Sequence, residues 1–138
     1  PKCTIEAHVW LLQCDGNELS CCINTASLAL VYAGIEMTDF VSCCQIAIMR
    51  DESNGNNKSV TLLDTTLSEE RSVHKQCEIV VSFMNEKKQI TLLNMNGSLS
   101  TDDTKQALQL CFNGCLQLKQ LMKTSLFEYY KSNTLKHT

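Results

Sequence analysis

Nine cysteines in 138 residues are the densest source of reactive groups in this chain. Thiolates bind soft metals, pair as disulfides or attack electrophiles. Cys21-Cys22 and Cys43-Cys44 are adjacent pairs inside apolar runs, where a disulfide framework is unusual, and no C-x-x-C occurs. Cys111 and Cys115 have the spacing of neighbours on the core face of one helix. Zinc needs several ligands at short, regular spacing, and His8, His74 and His137 stand apart from any cysteine pair. The odd count, the apolar surroundings and the absence of a signal-peptide pattern at the start predict reduced, small, buried thiols in an intracellular protein.

Charge narrows the function classes. Lys and Arg total 12 against 15 acids, a net charge of −3. A stand-alone nucleic-acid binder carries a basic face, because neutralising phosphates dominates its affinity. Lys119, Lys123, Lys131 and Lys136 form only a loose cluster, read here as a solvated helix end that complements the dipole. Any RNA surface is then expected from partners. No apolar run reaches membrane-spanning length, so no membrane role is expected. With 43% hydrophobic and 20% charged residues the chain is an ordinary globular domain or part of one. It opens on Pro1 with strand-like residues almost at once, which suggests a piece of something longer.

These side chains must be held by a framework built around residues 12–41. Residues 3–14 alternate, with Ile5, Ala7, Val9 and Leu11 on one face and Glu6, His8, Trp10 and Leu12 on the other, as in a strand covered on one side and largely on the second. His8 reads as a pleat-surface residue. After the Asp15-Gly16-Asn17 turn, residues 19–32 carry no charge, which predicts a helix buried on every side. Gly34 suits the left-handed position that ends it. Further strands are expected at 40–49, 59–63, 78–84 and 89–95, with a polar hairpin loop at 51–58, an irregular stretch at 65–74 with Glu69 and Glu70 exposed, and a hairpin turn at 85–88. Ser100 and Asp103 resemble a capping box for a last helix over 100–131. Its apolar stripe is Leu108, Cys111, Cys115, Leu118, Met122, Leu126 and Tyr129, followed by a frayed tail at 132–138. The order β-α-β-β-β-β-α, in one unit of residues 1–138 (strands and buried helix to 99, helix beyond), predicts an α+β fold.

Asp15-Gly16, Cys22-Ile23-Asn24, Leu28-Ala29-Leu30 and Ala33-Gly34-Ile35-x-Met37, followed by Leu62-Leu63-Asp64 and Glu69-Glu70 in the same order, resemble the second half of RNase PH-family proteins. Within that family, residues 19–24 are most similar to a non-catalytic ring subunit of the eukaryotic RNA exosome. The resemblance implies RNase PH-like β-α-β layers, here only the second half of the domain, with exposed apolar surface where the first half would pack. It also implies other RNase PH-like ring subunits and cap proteins as partners, RNA bound through the assembled complex, and a location in nucleus, nucleolus and cytoplasm. A homodimer is the alternative assembly, since a self-complementary patch closes a two-fold.

Active relatives degrade RNA from its 3′ end with phosphate as the attacking group, and the resemblance places two parts of that site in this half. The first is a phosphate-holding basic residue in the loop before the buried helix. Here the loop reads Asn17-Glu18-Leu19-Ser20, with Leu19 where the arginine is expected. Glu18 repels an anion, and backbone donors at Ser20 and Cys21 alone make a weak site. The second is a carboxylate pair. Asp64 takes the first place, but Cys77 stands at the second, with Glu78 one residue on and therefore on the opposite strand face. Asp64, Glu69 and Glu70 are the only candidates for a metal, and magnesium or manganese enters only with residual nuclease activity; otherwise no cofactor is expected. The expectation is a degenerate site in a structural subunit, with a residual phosphorolytic or metal-dependent exoribonuclease as the alternative.

Overall fold

The structure, a computed structural model, describes residues 3–51 and 58–134. Seven elements follow in order: α1 (Glu18–Tyr32), β1 (Val41–Asp51), β2 (Lys58–Leu63), α2 (Leu67–Glu70), β3 (Lys75–Met84), β4 (Gln89–Gly97) and α3 (Thr101–Thr134). The four strands form one antiparallel sheet in the order β2-β1-β3-β4. The fold is α+β, as expected. The expected loop at 51–58 falls mostly outside the described residues.

The core lies between the sheet and α3. Ile46 and Ile48 of β1 and Cys77, Ile79 and Val81 of β3 project from one sheet face by strand alternation, and Ala107 and Cys111 of α3 pack on them. The helix comes close because Gly114 faces the sheet, where a Cβ would stand 2.7 Å from Cys44 Sγ. Ser100 starts the helix, accepting from the Asp103 backbone at 3.2 Å and donating to its carboxylate at 2.7 Å. The helix is continuous to Thr134, so residues 132–134 are helical and not a frayed tail. In its last turns Tyr129 of the expected core stripe is 41% exposed and meets Tyr32 of α1 edge to face.

Four further expectations are corrected. Residues 3–14 form no strand, because no described strand offers them a ladder. Residues 5–9 instead run along α1, lining a hollow with Thr25, Ala29 and Leu30, and Trp10 and Leu12 are 84% and 94% exposed. His8 is thus an exposed coil residue. Helix α1 is present but not enclosed: only Ser20 and Ser27 are buried, and Leu19 and Tyr32 are exposed. The stretch 65–74 contains α2, capped by the Thr66 hydroxyl, which accepts from the Glu69 backbone, while the Glu69 carboxylate reaches back to the Thr66 backbone at 2.8 Å. Lys119 is buried rather than solvated, bonded to Asp39 and Glu86.

The polar stripe of α1 explains its position. Strand β2 ends at Leu63, opposite Ile46, so one edge of Val41–Gln45 has no strand partner. Ser20, Asn24 and Ser27, spaced along one helix face, bond that edge: Ser20 Oγ and Asn24 Nδ2 each donate to the Cys43 carbonyl at 2.9 Å, Cys43 N donates to Asn24 Oδ1 at 2.7 Å, and Val41 N donates to Ser27 Oγ at 3.2 Å. The helix thereby completes the sheet edge, while residues 5–9 lie along its Thr25, Ala29 and Leu30 side. Gly34, at φ 70°, ends it with Gly34 N bonded to Val31 O and Ile35 N to Leu30 O, a Schellman arrangement.

Candidate functional site

The loop before α1 and the loop after β2 lock together. Gly16 (φ 99°) lies flat on the backbone of residues 65–67, where a Cβ would stand 2.4 Å from the Thr65 carbonyl oxygen. Leu67 N donates to Asp15 O at 2.7 Å. Asn17 and Asp64 both adopt left-handed backbone, at φ 55° and 57°. Short polar side chains tolerate that region best. The conformation turns Asn17 away from its usual role as a helix cap: its side chain makes no cap bond to α1 and donates instead to Asp64 Oδ1 at 2.6 Å.

Glu70 secures the pair from below. Its Oε1 accepts from Asn17 N at 2.7 Å and from Gln45 Nε2 at 2.6 Å, and Gln45 also donates to Thr65 Oγ1 at 3.2 Å. Gln45 and Thr65 are buried. One carboxylate thus ties the α1 loop, the centre of β1 and the β2–α2 connection together, in a network anchored by the buried Gln45 and Thr65.

Above this network opens a cleft of about 310 Å³. Asn17, Ser20, Asn24, Gln45 and Asp64 supply its polar lining, and Cys44, Leu63, Leu118 and Leu121 its apolar walls. Asn17 is 8% exposed, and its Oδ1 is buried without a hydrogen-bond partner. Cys44 is buried at the cleft wall, and the Cys111 thiol, which donates to it, holds its pKa below the ordinary value despite its burial.

No family model matches the chain. Over 130 residues, 94% of its length, it is 32% identical to the exosome complex component Rrp41 of Thermococcus kodakarensis, and it covers 48% of that protein. Against Rrp41 of Nitrosopumilus maritimus it is 27% identical over 133 residues, covering 50% of that protein. The chain is homologous to RNase PH-family exosome subunits. It spans about half the length of the relatives it matches, and corresponds to the second half of such a subunit. Its fold is similar to that of rice (Oryza sativa) Rrp46, with a TM-score of 0.69 over 83% of this chain and 50% of that one, at 23% identity.

In this RNase PH-like frame the candidate residues fall as follows. Leu19, in the place of the expected phosphate-binding arginine, is 43% exposed and offers no donor beyond its backbone. Glu18 starts α1 with its carboxylate accepting from the Cys14 thiol, which holds its pKa low and keeps it anionic. Ser20 spends its hydroxyl on β1, and Cys21 N is bonded to Asn17 O at 3.2 Å. Asp64 lines the cleft. Glu78 does not: it pairs with Lys75 Nζ at 2.6 Å, while Cys77 points into the core on the other face. Glu69 is occupied by its cap, and Glu70, expected to be exposed, is half-buried in the network. Among the described residues no group of three His, Cys, Asp or Glu side chains is placed to hold a metal ion.

The sequence signals for this network were partial. Thr66-x-x-Glu69 is a legible capping box. Gln45, Glu70 and the left-handed Asn17 carry no local signal, since the bonds that join Asn17, Gln45, Asp64, Thr65 and Glu70 across the loops span 20 to 53 residues.

Proposed function

We propose that this chain is part of a non-catalytic structural subunit of the RNA exosome ring, one that supports 3′-to-5′ RNA processing and degradation while catalysis is supplied elsewhere. The observation that carries it is the pairing of Glu18 and Leu19 at the helix start, where an attacking phosphate would meet a carboxylate and an apolar side chain rather than an arginine. A phosphate without a charge-assisted bond is held weakly, and repulsion opposes even that. Exosome component five is the member this reading favours, on the resemblance of residues 19–24 to a non-catalytic ring subunit. Partners on this reading are other RNase PH-like ring subunits and cap proteins, RNA is met through the assembled complex, and the protein works in nucleus, nucleolus and cytoplasm without a cofactor of its own.

Asp64 favours one second reading. It lines a cleft of about 310 Å³ with Ser20 and Asn24, which is room for a terminal nucleotide in a residual metal-dependent nuclease. RNA-decay assays with and without phosphate, magnesium and manganese, run beside Asp64→Asn, separate the two. Co-purification with an RNase PH-like ring subunit and no decay under any condition supports the scaffold. Decay that disappears in Asp64→Asn overturns it. Mass measurement at several concentrations tests the homodimer.

A further inference from the structure

Three buried thiols gather where α3 packs on β1. Strand alternation puts Cys44 on the sheet face that carries Ile46, under the helix. A Cβ on Gly114 would lie 3.5 Å from Cys44 Cβ, so here the helix backbone comes as near to the strand as the two halves of a disulfide stand to each other. Cys111 and Cys115 flank Gly114 on the core side of α3, and both are buried. Their protons go to different places. Cys115 donates to the Val81 carbonyl at 3.5 Å, whereas the Cys111 thiol donates to Cys44.

Cys44 also has a way out. Of the five buried cysteines it is the one that lines the cleft of about 310 Å³ beside α1, with Ser20, Asn24 and Gln45 around it. That lining admits a small, neutral, polar molecule. The proton bond from Cys111 outweighs both burial and the Asp64 charge, and it favours the thiolate at Cys44. A thiolate open to a cleft, with a second thiol in contact, is the arrangement that a peroxide converts to a disulfide. Cys43 lies on the opposite sheet face, and Cys115 has its proton on a carbonyl and no place in the cleft wall.

We propose that Cys44 and Cys111 are a peroxide-oxidised thiol pair, with Cys44 the sulfur that meets the peroxide in the cleft and Cys111 the sulfur that closes a disulfide between β1 and α3. The Cys44 thiolate attacks one peroxide oxygen. The O–O bond breaks, an S–O bond forms, and hydroxide leaves to take a proton from water, which gives a sulfenic acid at Cys44. That step removes the Cys44 anion, whose charge and hydrogen bond are what chiefly hold the Cys111 proton in place. Cys111 sulfur then attacks Cys44 sulfur, the S–O bond breaks, and the departing oxygen carries the Cys111 proton away as water. Two thiols and one peroxide give one disulfide and two waters, the sulfurs oxidised and the peroxide reduced. The bond pins α3 to the sheet beside the cleft. The inference does not depend on the scaffold reading.

The test is a titration of the whole, reduced chain with hydrogen peroxide under native conditions, followed by alkylation of the remaining thiols and peptide mass mapping. The expected product links Cys44 to Cys111 with the loss of two hydrogens and is reversed by dithiothreitol. The urea midpoint should rise on oxidation and return on reduction, because the bond restrains the unfolded chain. Cys44 should be consumed at least about tenfold faster than Cys115, since a thiol at about 12 is ionised far less than one held below 9.0. In Cys111→Ser no partner sulfur is present, so Cys44 should instead gain oxygen, as the sulfenic and then the sulfinic acid. In Cys44→Ser, Cys111 should stay a free thiol at peroxide doses that close the bond in the unaltered chain. A bond from Cys44 to Cys115 or to an exposed cysteine, Cys44 left intact while Cys3 and Cys21 are consumed, or oxygen on Cys44 of the unaltered chain as abundant as in Cys111→Ser would each overturn the proposal. The peptide map of the unaltered chain decides alone if either serine variant fails to fold.

Discussion

Lys119 Nζ lies 3.1 Å from Asp39 Oδ1 although the two residues are 80 positions apart. Their side chains are 5% and 2% exposed, so this is a buried ion pair and not a surface one. Asp39 also accepts from the backbone of Phe40, Glu86 and Lys87, and Lys119 reaches Glu86 at 3.0 Å. Three separate pieces (the α1–β1 connection, the β3–β4 turn and the middle of α3) meet at one carboxylate. Removing Lys119 leaves the buried Asp39 charge with backbone donors only and costs about 3–5 kcal/mol, whereas removing the Asp39 charge leaves Lys119 its Glu86 partner and costs less. Lys119→Met and Asp39→Asn should each lower the urea midpoint accordingly, and the double variant should cost less than the two losses added. A change under 1 kcal/mol in either single variant would show that the pair is not closed in solution.

The same pair sets a pH dependence. Burial alone would raise the Asp39 pKa, but Lys119 and three backbone donors outweigh it and hold the group below its ordinary 3.8. Its contribution is therefore present above that value and is lost as the pH falls through the lower folded one. Burial alone would lower Lys119, but Glu86 and Asp39 outweigh it and hold the group above 10.5. That contribution is complete below 10.5 and fades as the pH rises through the folded value. Urea midpoints should be flat between these limits and fall below about pH 4. Asp39→Asn should flatten the acid limb; an unchanged acid limb in the variant counts against it.

Gly16 holds the two loops of the cleft in register. At φ 99° a side chain is strained, and a Cβ would meet the Thr65 carbonyl at 2.4 Å, a backbone atom that cannot rotate aside. Gly16→Ala should cost about 1–3 kcal/mol from the backbone conformation, with the collision in addition. It should also separate Asn17 from Glu70, visible as faster hydrogen exchange at the Asn17 amide. Gly34, also left-handed at φ 70° but with open space around it, is the control: Gly34→Ala pays the strain without the collision and should cost less.

The sheet strands were legible as short apolar, β-branched runs bounded by turn residues, as at 78–84 and 89–95, and α3 by the three- and four-residue steps of its stripe. Residues 3–14 alternate, but periodicity reports which face a strand would bury, not whether a neighbour exists to pair with it. Helix α1 misled in the opposite way. Its lack of charge read as burial on every side, whereas Ser20, Asn24 and Ser27 are the polar stripe that bonds the edge of β1. Lys119 was legible in principle. It stands between Cys115 and Met122 on the buried stripe, and a cation there requires an acid partner, which sequence spacing cannot locate 80 residues back. Of the cleft, Asp64 was visible, but the Asn17–Glu70–Gln45 network depends on two left-handed residues and long-range bonds.

The nine thiols should separate into kinetic classes under titration with a disulfide reagent at pH 8. The expectation of uniformly buried cysteines fails at Cys3, Cys14 and Cys21, which are exposed. Cys3 and Cys21 should react first, and Cys14 more slowly, because its bond to the Glu18 carboxylate raises its pKa. Burial pushes Cys43 up to about 11 and Cys115 up to about 12, and it raises Cys77 as well. Cys111 is raised too, chiefly because its proton is shared with Cys44. Cys44 is the exception among the buried thiols: it receives that proton bond, its pKa is lowered, and it lines the cleft where reagent can enter. Thiolate fraction and access together decide reactivity. Cys44 should therefore be the first buried cysteine labelled, identified by peptide mass, and Cys44→Ser should delete that phase alone. Labelling of Cys43 or Cys115 ahead of Cys44 would mean that reagent enters by opening of α3 from the sheet rather than through the cleft.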